Sequence, residues 1–204
     1  MNRMTTPLNS LPNRRAVVAN ILAARGDSLV LASLGNPTYD VAAAGDVAEN
    51  FYVWGAMGGA CMVALGVALA QPDKNVIVFV GDGEMLMGIG SLATIAVKRP
   101  ENLKIVVLDN EHYGETGMQP AHSGRGVDIA AMALAAGFPS ACRVSDEAGV
   151  AECIDALCKR PGLQCVVIKV AVSSDPSVLP ARDGPYLRSR FREAVLGVGH
   201  GGHN

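Results

Sequence analysis

Residues 76 to 110 constrain this chain more than any other stretch. Val76-Ile77-Val78-Phe79-Val80 and Ile105-Val106-Val107-Leu108 are uninterrupted apolar runs, rich in β-branched residues, with a segment of helical length between them. Runs of that kind are strands buried on both faces, and the spacer makes them neighbours in a parallel sheet joined by a crossover helix. Asp82 and Asn110 then fall just past the carboxyl ends of adjacent strands, the edge at which open α/β sheets bind ligands. Gly81 and Gly83 permit a tight turn and close approach of a ligand, and a helix running from Glu84 presents free N–H groups that favour an anion. A carboxylate and a carboxamide oxygen brought together there are hard ligands that suit Mg²⁺, which keeps phosphate or water for the rest of its octahedron. The combination predicts a clamp for magnesium and a diphosphate. A Gly-Asp-Gly turn after a strand is common in other α/β proteins, so the triplet alone carries little weight.

With 50% apolar and 4% aromatic residues over 204 positions, the chain suits a single α/β domain: a three-layer sandwich around a central, mostly parallel sheet. The domain is expected over residues 14–196, with a flexible amino-terminal arm at 1–13 and a flexible glycine- and histidine-bearing tail at 197–204. A formal net charge of -2 and the absence of a Lys/Arg cluster give no footprint for nucleic acid or an anionic membrane. No signal-peptide pattern or bilayer-length apolar stretch is evident, which places the protein in the cytoplasm as an expectation. Five cysteines, Cys61, Cys142, Cys153, Cys158 and Cys165, form no C-x-x-C pair and read as reduced, buried fillers.

Along the chain, Arg14 to Arg25 has the spacing of an amphipathic helix. Ser28 to Leu34 is a strand with Gly35 to Thr38 as its exit turn, where Asn36 or Thr38 either touches a ligand or simply forms the turn. Asn50 to Trp54 is a short extended segment. Met57 to Ala70 carries no charge and predicts a helix buried all round. Gly83 to Val97 is expected as one crossover helix closed by Lys98-Arg99-Pro100. The segment from Asn110 to Gly126 is a long loop of the kind that carries function. Val127 to Gly137 is a helix with Asp128 in its first turn, and Ala141 to Val144 is a strand. Ser145 caps a helix over Asp146 to Lys159. Gln164 to Val172 is the last strand, and Tyr186 to Leu196 a final helix after an irregular segment.

Three segments together resemble a known family: Gly81-Asp82-Gly83 with Asp109-Asn110, Gly55-Ala56-Met57-Gly58-Gly59-Ala60, and Tyr113-Gly114-Glu115-Thr116-Gly117-Met118-Gln119-Pro120. The likeness is to thiamine-diphosphate enzymes, and among them to the diphosphate-binding half of the sulfopyruvate and phosphonopyruvate decarboxylases, from about Arg14 to about Arg192. It implies thiamine diphosphate and Mg²⁺ as cofactors. The implied metal ligands are Asp82, Asn110 and the backbone carbonyl of His112. The implied cofactor contacts are Gly55, Met57, Gly81, Gly83, Glu84, His112, Tyr113 and Gly114. Met57 would wedge beneath the cofactor and bend it, while Gly55 would offer its carbonyl to the pyrimidine amino group; by residue type alone, Met57 is equally a core methionine at a helix start. Glu115, Thr116 and His122 are the catalytic candidates, with Gln119 beside them and Arg125 further out. A solvated loop explains His122 and Arg125 equally well.

The implied activity is that of a lyase releasing CO₂ from sulfopyruvate or phosphonopyruvate to leave an aldehyde. Glu111 and Glu115 add acidity beside a site for a dianion, so a sulfonate, a phosphonate or another 2-oxo acid stays open. In this family the glutamate that activates the cofactor lies in a separate pyrimidine-binding domain, and the chain shows no internal repeat that would be one. The implied partner is therefore a pyrimidine-binding, α-like subunit in an α₂β₂ or larger oligomer, with this chain as the β-like subunit. The two-oxo-acid ferredoxin oxidoreductases share the signature but usually add iron–sulfur cysteines, a set not seen here. The alternative is a non-catalytic thiamine-diphosphate-binding module with a regulatory or scaffold role.

Overall fold

The structure is a computed structural model and describes residues 11–197. The expected arm and tail lie outside these residues apart from Leu11–Asn13 and Gly197. Pro12 is tied to the body, its carbonyl accepting the Ala171 N–H at 2.9 Å.

In chain order the elements are α1 (Arg14–Ala24), β1 (Leu29–Ser33), α2 (Asn36–Ala43), β2 (Asn50–Val53), α3 (Ala60–Ala70), β3 (Val76–Gly81), α4 (Asp82–Met87), α5 (Ser91–Lys98), β4 (Leu103–Asp109), β5 (His112–Tyr113), β6 (Gln119–Pro120), α6 (Ile129–Ala136), β7 (Ser140–Val144), α7 (Glu147–Lys159), β8 (Gln164–Lys169) and α8 (Gly184–Leu196). Six strands form one sheet in the order β2-β1-β3-β4-β8-β7, and every neighbouring pair in it is parallel. The expected α/β sandwich is thus observed, with its sheet wholly parallel among the described residues.

The period-2 alternation of each strand sorts side chains between two cores. Val76, Val78 and Val80 of β3, with Ile105 and Val107 of β4, face the helices α3, α5 and α6. Ile77 and Phe79, with Val106 and Leu108, face α1, α2 and α7. Both faces of the central strands are dry, which is why their sequences are continuous apolar runs. Helix α8 wraps the β2 edge, sending Leu187 to one core and Phe191 to the other, where the Phe191 ring lies 5.3 Å from that of Phe51.

Several local expectations are corrected. The turn expected at Gly35 to Thr38 is instead the start of α2, with Gly35 as N-cap in a left-handed conformation and proline in the first turn. The single crossover helix is two, α4 and α5, separated by Gly88-Ile89-Gly90, where two glycines in three residues weaken the helix. Asp128 is the N-cap of α6 and accepts the Ala131 N–H, and Asp146 rather than Ser145 caps α7 by accepting the Gly149 N–H. Helix α3 begins at Ala60 and is not buried all round, because Met62, Val63 and Leu69 are exposed, Leu69 at 49%. Cys61, Cys153 and Cys165 are buried as expected, Cys158 is half-buried, and Cys142 is exposed. No helix among the described residues is long and apolar enough to cross a membrane.

Lys104 is a cation sunk in the central strand β4. It is 1% exposed and donates to the Gly162 carbonyl, and burial pushes its ammonium down to about 8, against a smaller opposing pull from Glu101. The unfolded chain holds this proton up to about 10.4, so between those limits it binds more protons than the folded one and stability rises with pH. Wild type is therefore expected to gain stability relative to Lys104→Met as pH is raised from 7.5 to 10 in urea unfolding. A constant difference between the two proteins would refute the burial account.

Candidate functional site

The carboxyl ends of β1, β3 and β4 open onto a cavity of about 150 Å³. Its floor is built by strand exits: Leu34 to Pro37 after β1, Gly81 to Glu84 at the end of β3, and Asn110 after β4. Its far wall is the segment expected as a loop. That segment folds as a small antiparallel hairpin, pairing His112 with Pro120 and Tyr113 with Gln119, with one 3₁₀ turn at Gly114–Thr116 and another at His122–Arg125.

Of the residues singled out in the sequence, Met57, Gly81, Asp82, Gly83, Glu84, Asn110, His112, Tyr113, Gly114, Glu115 and Thr116 line this cavity. Gly55 and His122 do not. Gly55 is an exposed left-handed turn residue, and the His122 Nδ1 lies 3.3 Å from the Tyr113 hydroxyl.

Asp82 and Asp109 are both buried, and Ser123 Oγ sits between them, 2.8 Å from Asp82 Oδ2 and 2.9 Å from Asp109 Oδ1. Burial, and then the neighbouring Asp109 charge, push the Asp82 carboxyl up to about 6, against the pull of hydrogen bonds from Ser123 and the backbone. Asp109 has its own cation, Lys169 Nζ at 2.9 Å, and Lys169 also pairs with Glu111. Asp82 has none. A half-compensated buried carboxylate facing a cavity is a natural ligand for a small cation. Asn110 stands beside it, its Oδ1 accepting the His112 N–H at 3.0 Å, while His112 Nδ1–H donates to the Asn110 carbonyl at 2.8 Å. The imidazole is thus engaged locally, and no cluster of three or more His, Cys, Asp or Glu side chains with metal-site geometry occurs among the described residues. A metal held here would draw on one carboxylate, one carboxamide and backbone or ligand oxygens.

Close packing explains the glycines. A Cβ on Gly83 would run into the Tyr113 ring, and one on Gly88 would run into the Gly58 carbonyl. The second contact fastens the turn carrying Met57 to the end of α4. Glu84 secures the same turn from below: its Oε1 accepts the Ala60 N–H at 3.3 Å. Its Oε2 is buried without a partner among the described residues, and burial raises its pKa. At the rim, Glu115 lies over Gly35 and accepts from the Tyr39 hydroxyl at 3.4 Å. Thr116 and Gln119 spend their polar atoms on each other, the Thr116 hydroxyl donating to Gln119 Oε1 at 2.7 Å.

Three residues of this region were not singled out for a site role in the sequence, Ser123, Lys169 and Arg14, while Asp109 was named only as part of the signature with Asn110. The parallel register sets Asp109 beside Lys169, a pairing visible only once strand order is known. Arg14, which reads as one position of an amphipathic helix, is 3% exposed and lines the cavity.

Residues 35–168 match the family model for the C-terminal TPP binding domain of thiamine pyrophosphate enzymes. The chain is 37% identical to the sulfopyruvate decarboxylase subunit beta of Methanocaldococcus jannaschii, over 62% of this chain and 68% of that one. It is 39% identical to a phosphonopyruvate decarboxylase of Streptomyces hygroscopicus, over 66% of this chain but 33% of the relative. Among solved structures, benzoylformate decarboxylase from Polynucleobacter necessarius superposes with a TM-score of 0.68 at 18% identity, covering 86% of this chain and 36% of that one. The matched segment thus spans about two thirds of the beta subunit and about one third of the phosphonopyruvate decarboxylase.

The Gly58–Gly88 contact yields a paired expectation. Gly88→Ala forces backbone apart and should destabilise by about 1–3 kcal/mol. Gly66→Ala, in α3 with nothing within 4 Å of the new Cβ, should stabilise by up to about 1 kcal/mol. Denaturant melts of the two variants check this, and equal effects would contradict the packing role of Gly88.

Proposed function

The chain belongs to the thiamine pyrophosphate enzymes, as their C-terminal TPP binding domain, and from that membership we propose that it is the diphosphate-binding subunit of a decarboxylase for 2-oxo acids carrying a sulfonate or phosphonate. The observation that carries the reading is the meeting of Asp82 and Asn110, from adjacent strand ends, with Met57 on one cavity. Asp82 and the Asn110 carboxamide would hold Mg²⁺, together with the His112 carbonyl, and the metal would hold the diphosphate. The backbone at Gly81, Gly83 and Gly114 would let the ligand approach closely, Tyr113 would wall it in against Gly83, and Met57 would give the cofactor rings an apolar support. Bound thiamine diphosphate supplies the electron sink on which a 2-oxo acid loses CO₂.

The substrate class rests on the relatives named as sulfopyruvate and phosphonopyruvate decarboxylases. The acidity of the hairpin is partly offset, because Glu111 shares Lys169 with Asp109. Glu115 and Thr116 remain at the rim as the groups nearest an incoming substrate, with His122 behind Tyr113. A complementary pyrimidine-binding chain is the proposed partner, as the designation of the Methanocaldococcus relative as a subunit beta supports. Apolar side chains left open on α3 and α6, Met62, Val63, Leu69, Met132 and Leu134, fit a surface that another protein covers.

The test begins with Mg²⁺-dependent thiamine diphosphate binding. Asp82→Ala should weaken it by at least about a hundredfold, since even outer-shell changes at metal sites cost up to that much. Equal binding by both proteins would sink the clamp. The complex with the co-purifying subunit should then release CO₂ from sulfopyruvate or phosphonopyruvate, and the chain alone should not. A complex that binds the cofactor but turns over no 2-oxo acid would make this a binding module.

A further inference from the structure

Arg14 is placed as a structural residue would be, yet its charge is not spent as a structural residue's would be. It sits in the first turn of α1 at 3% exposure, and its Nε donates to Asp40 of α2, itself wholly buried. Arg15 donates to the same carboxylate at 3.0 Å. Two guanidinium groups therefore share one carboxylate, leaving a surplus positive charge at this corner. Of the other acids near this corner, Asp175 is exposed on the surface and is approached by Asn13 at 3.4 Å, and Glu115 lies over Gly35 and accepts from the Tyr39 hydroxyl. The Arg14 Nη2 makes only a long 3.5 Å contact with Asp40, and Nη1 makes no hydrogen bond among the described residues. Arg14 borders the cavity and is the only Lys or Arg among its described lining residues.

A second feature converges on the same corner. Helix α2 starts there with Gly35 as N-cap and no side-chain hydrogen bond to its first amides, and although Glu115 lies over Gly35, the positive end of this eight-residue helix faces the same cavity as Arg14. Fastening α1 to α2 does not require this chemistry, because apolar residues fill such positions at equal or lower cost than a buried ion pair. We propose that Arg14 is an anion-binding residue of this cavity, its planar fork held by Asp40 so that the free edge receives a tetrahedral oxyanion. That oxyanion is either a phosphate of the cofactor or the sulfonate or phosphonate of the substrate. The inference rests on the cofactor reading above and adds to it a residue from outside the strand ends.

Two variants test it in the full chain with its co-purifying subunit. Arg14→Lys keeps the charge and loses the fork. Arg14→Met with Asp40→Leu removes the buried pair together and leaves the half-buried Arg15 its bond to the Pro176 carbonyl. Cooperative melts establish that both fold. Calorimetric titration with Mg²⁺-pyrophosphate, Mg²⁺-thiamine diphosphate and unphosphorylated thiamine reads the site without turnover. Loss of about tenfold or more for the two phosphorylated probes, with thiamine unaffected, assigns the anion to the cofactor. Unchanged cofactor affinity with a tenfold higher KM for sulfopyruvate and an unchanged kcat assigns it to the substrate. Folded variants that match wild type in both would overturn the proposal. Wild type that binds Mg²⁺-pyrophosphate but not thiamine diphosphate would sink the cofactor reading, and pyrophosphate would still judge Arg14. Binding of neither probe by wild type overturns both.

Discussion

The register between β3 and β4 sets Val80 opposite Val107 and Gly81 opposite Leu108. It is fixed by two cores at once, because a slip of one residue would send Val78 and Ile105 to the wrong side of the sheet along with every other side chain of the strand. The next residues out, Asp82 and Asp109, are therefore forced together at the sheet edge, with Asn110 one step beyond. Packing energy spread over the whole sheet thus holds two carboxylates closer than their charges alone would allow.

What surrounds that pair is a graded set of compensations. Asp109 is answered by Lys169 from the adjacent β8 and by the Glu111 N–H at 3.0 Å. Ser123, brought back by the hairpin, bridges it to Asp82. Asp82 and Glu84 are left short, the first without a cation and the second with one oxygen unpartnered among the described residues. A fold under selection for stability alone would fill such positions with apolar groups. Their deficit has the sign a metal cation and ligand donors would correct.

The strands, their adjacency and the strand-end location of Asp82 and Asn110 were legible because β-branched runs and glycine turns are local signals. Helix caps were legible only to within a residue: Asp146 stands next to Ser145, and nothing local says which of the two turns its oxygen inward. The break between α4 and α5 escaped because it answers to Gly58, thirty positions away in sequence. Lys169, Ser123 and Arg14 escaped for the same reason. Each acquires its role from a partner on another element, and a basic residue in an amphipathic helix looks identical whether it meets water or Asp40. Met57 to Ala70 misled in the opposite direction, since an uncharged helix implies burial but does not say whether its own chain or another supplies the cover.

That ambiguity bears on the cavity itself. The helices on one side of the sheet carry ordinary surface charge, as in the Lys159–Asp155 pair at 2.7 Å on α7. The opposite side shows Leu69, Leu134 and Val97 to solvent. Met87, exposed at 63%, continues that apolar side to the Gly58–Gly88 contact, next to Met57 on the cavity rim. A protein surface docked on these helices would extend over the turn carrying Met57 and displace water from the cavity mouth. Interactions of Asp82 and Arg14 with an anionic, metal-bound ligand would then act through a lower effective dielectric, where each is worth more than it is in water. Covering the apolar side and strengthening the site's electrostatics are in that sense one event, which gives a physical reason for a domain whose cavity gathers Asp82, Asn110 and Arg14 to leave so much apolar helix open.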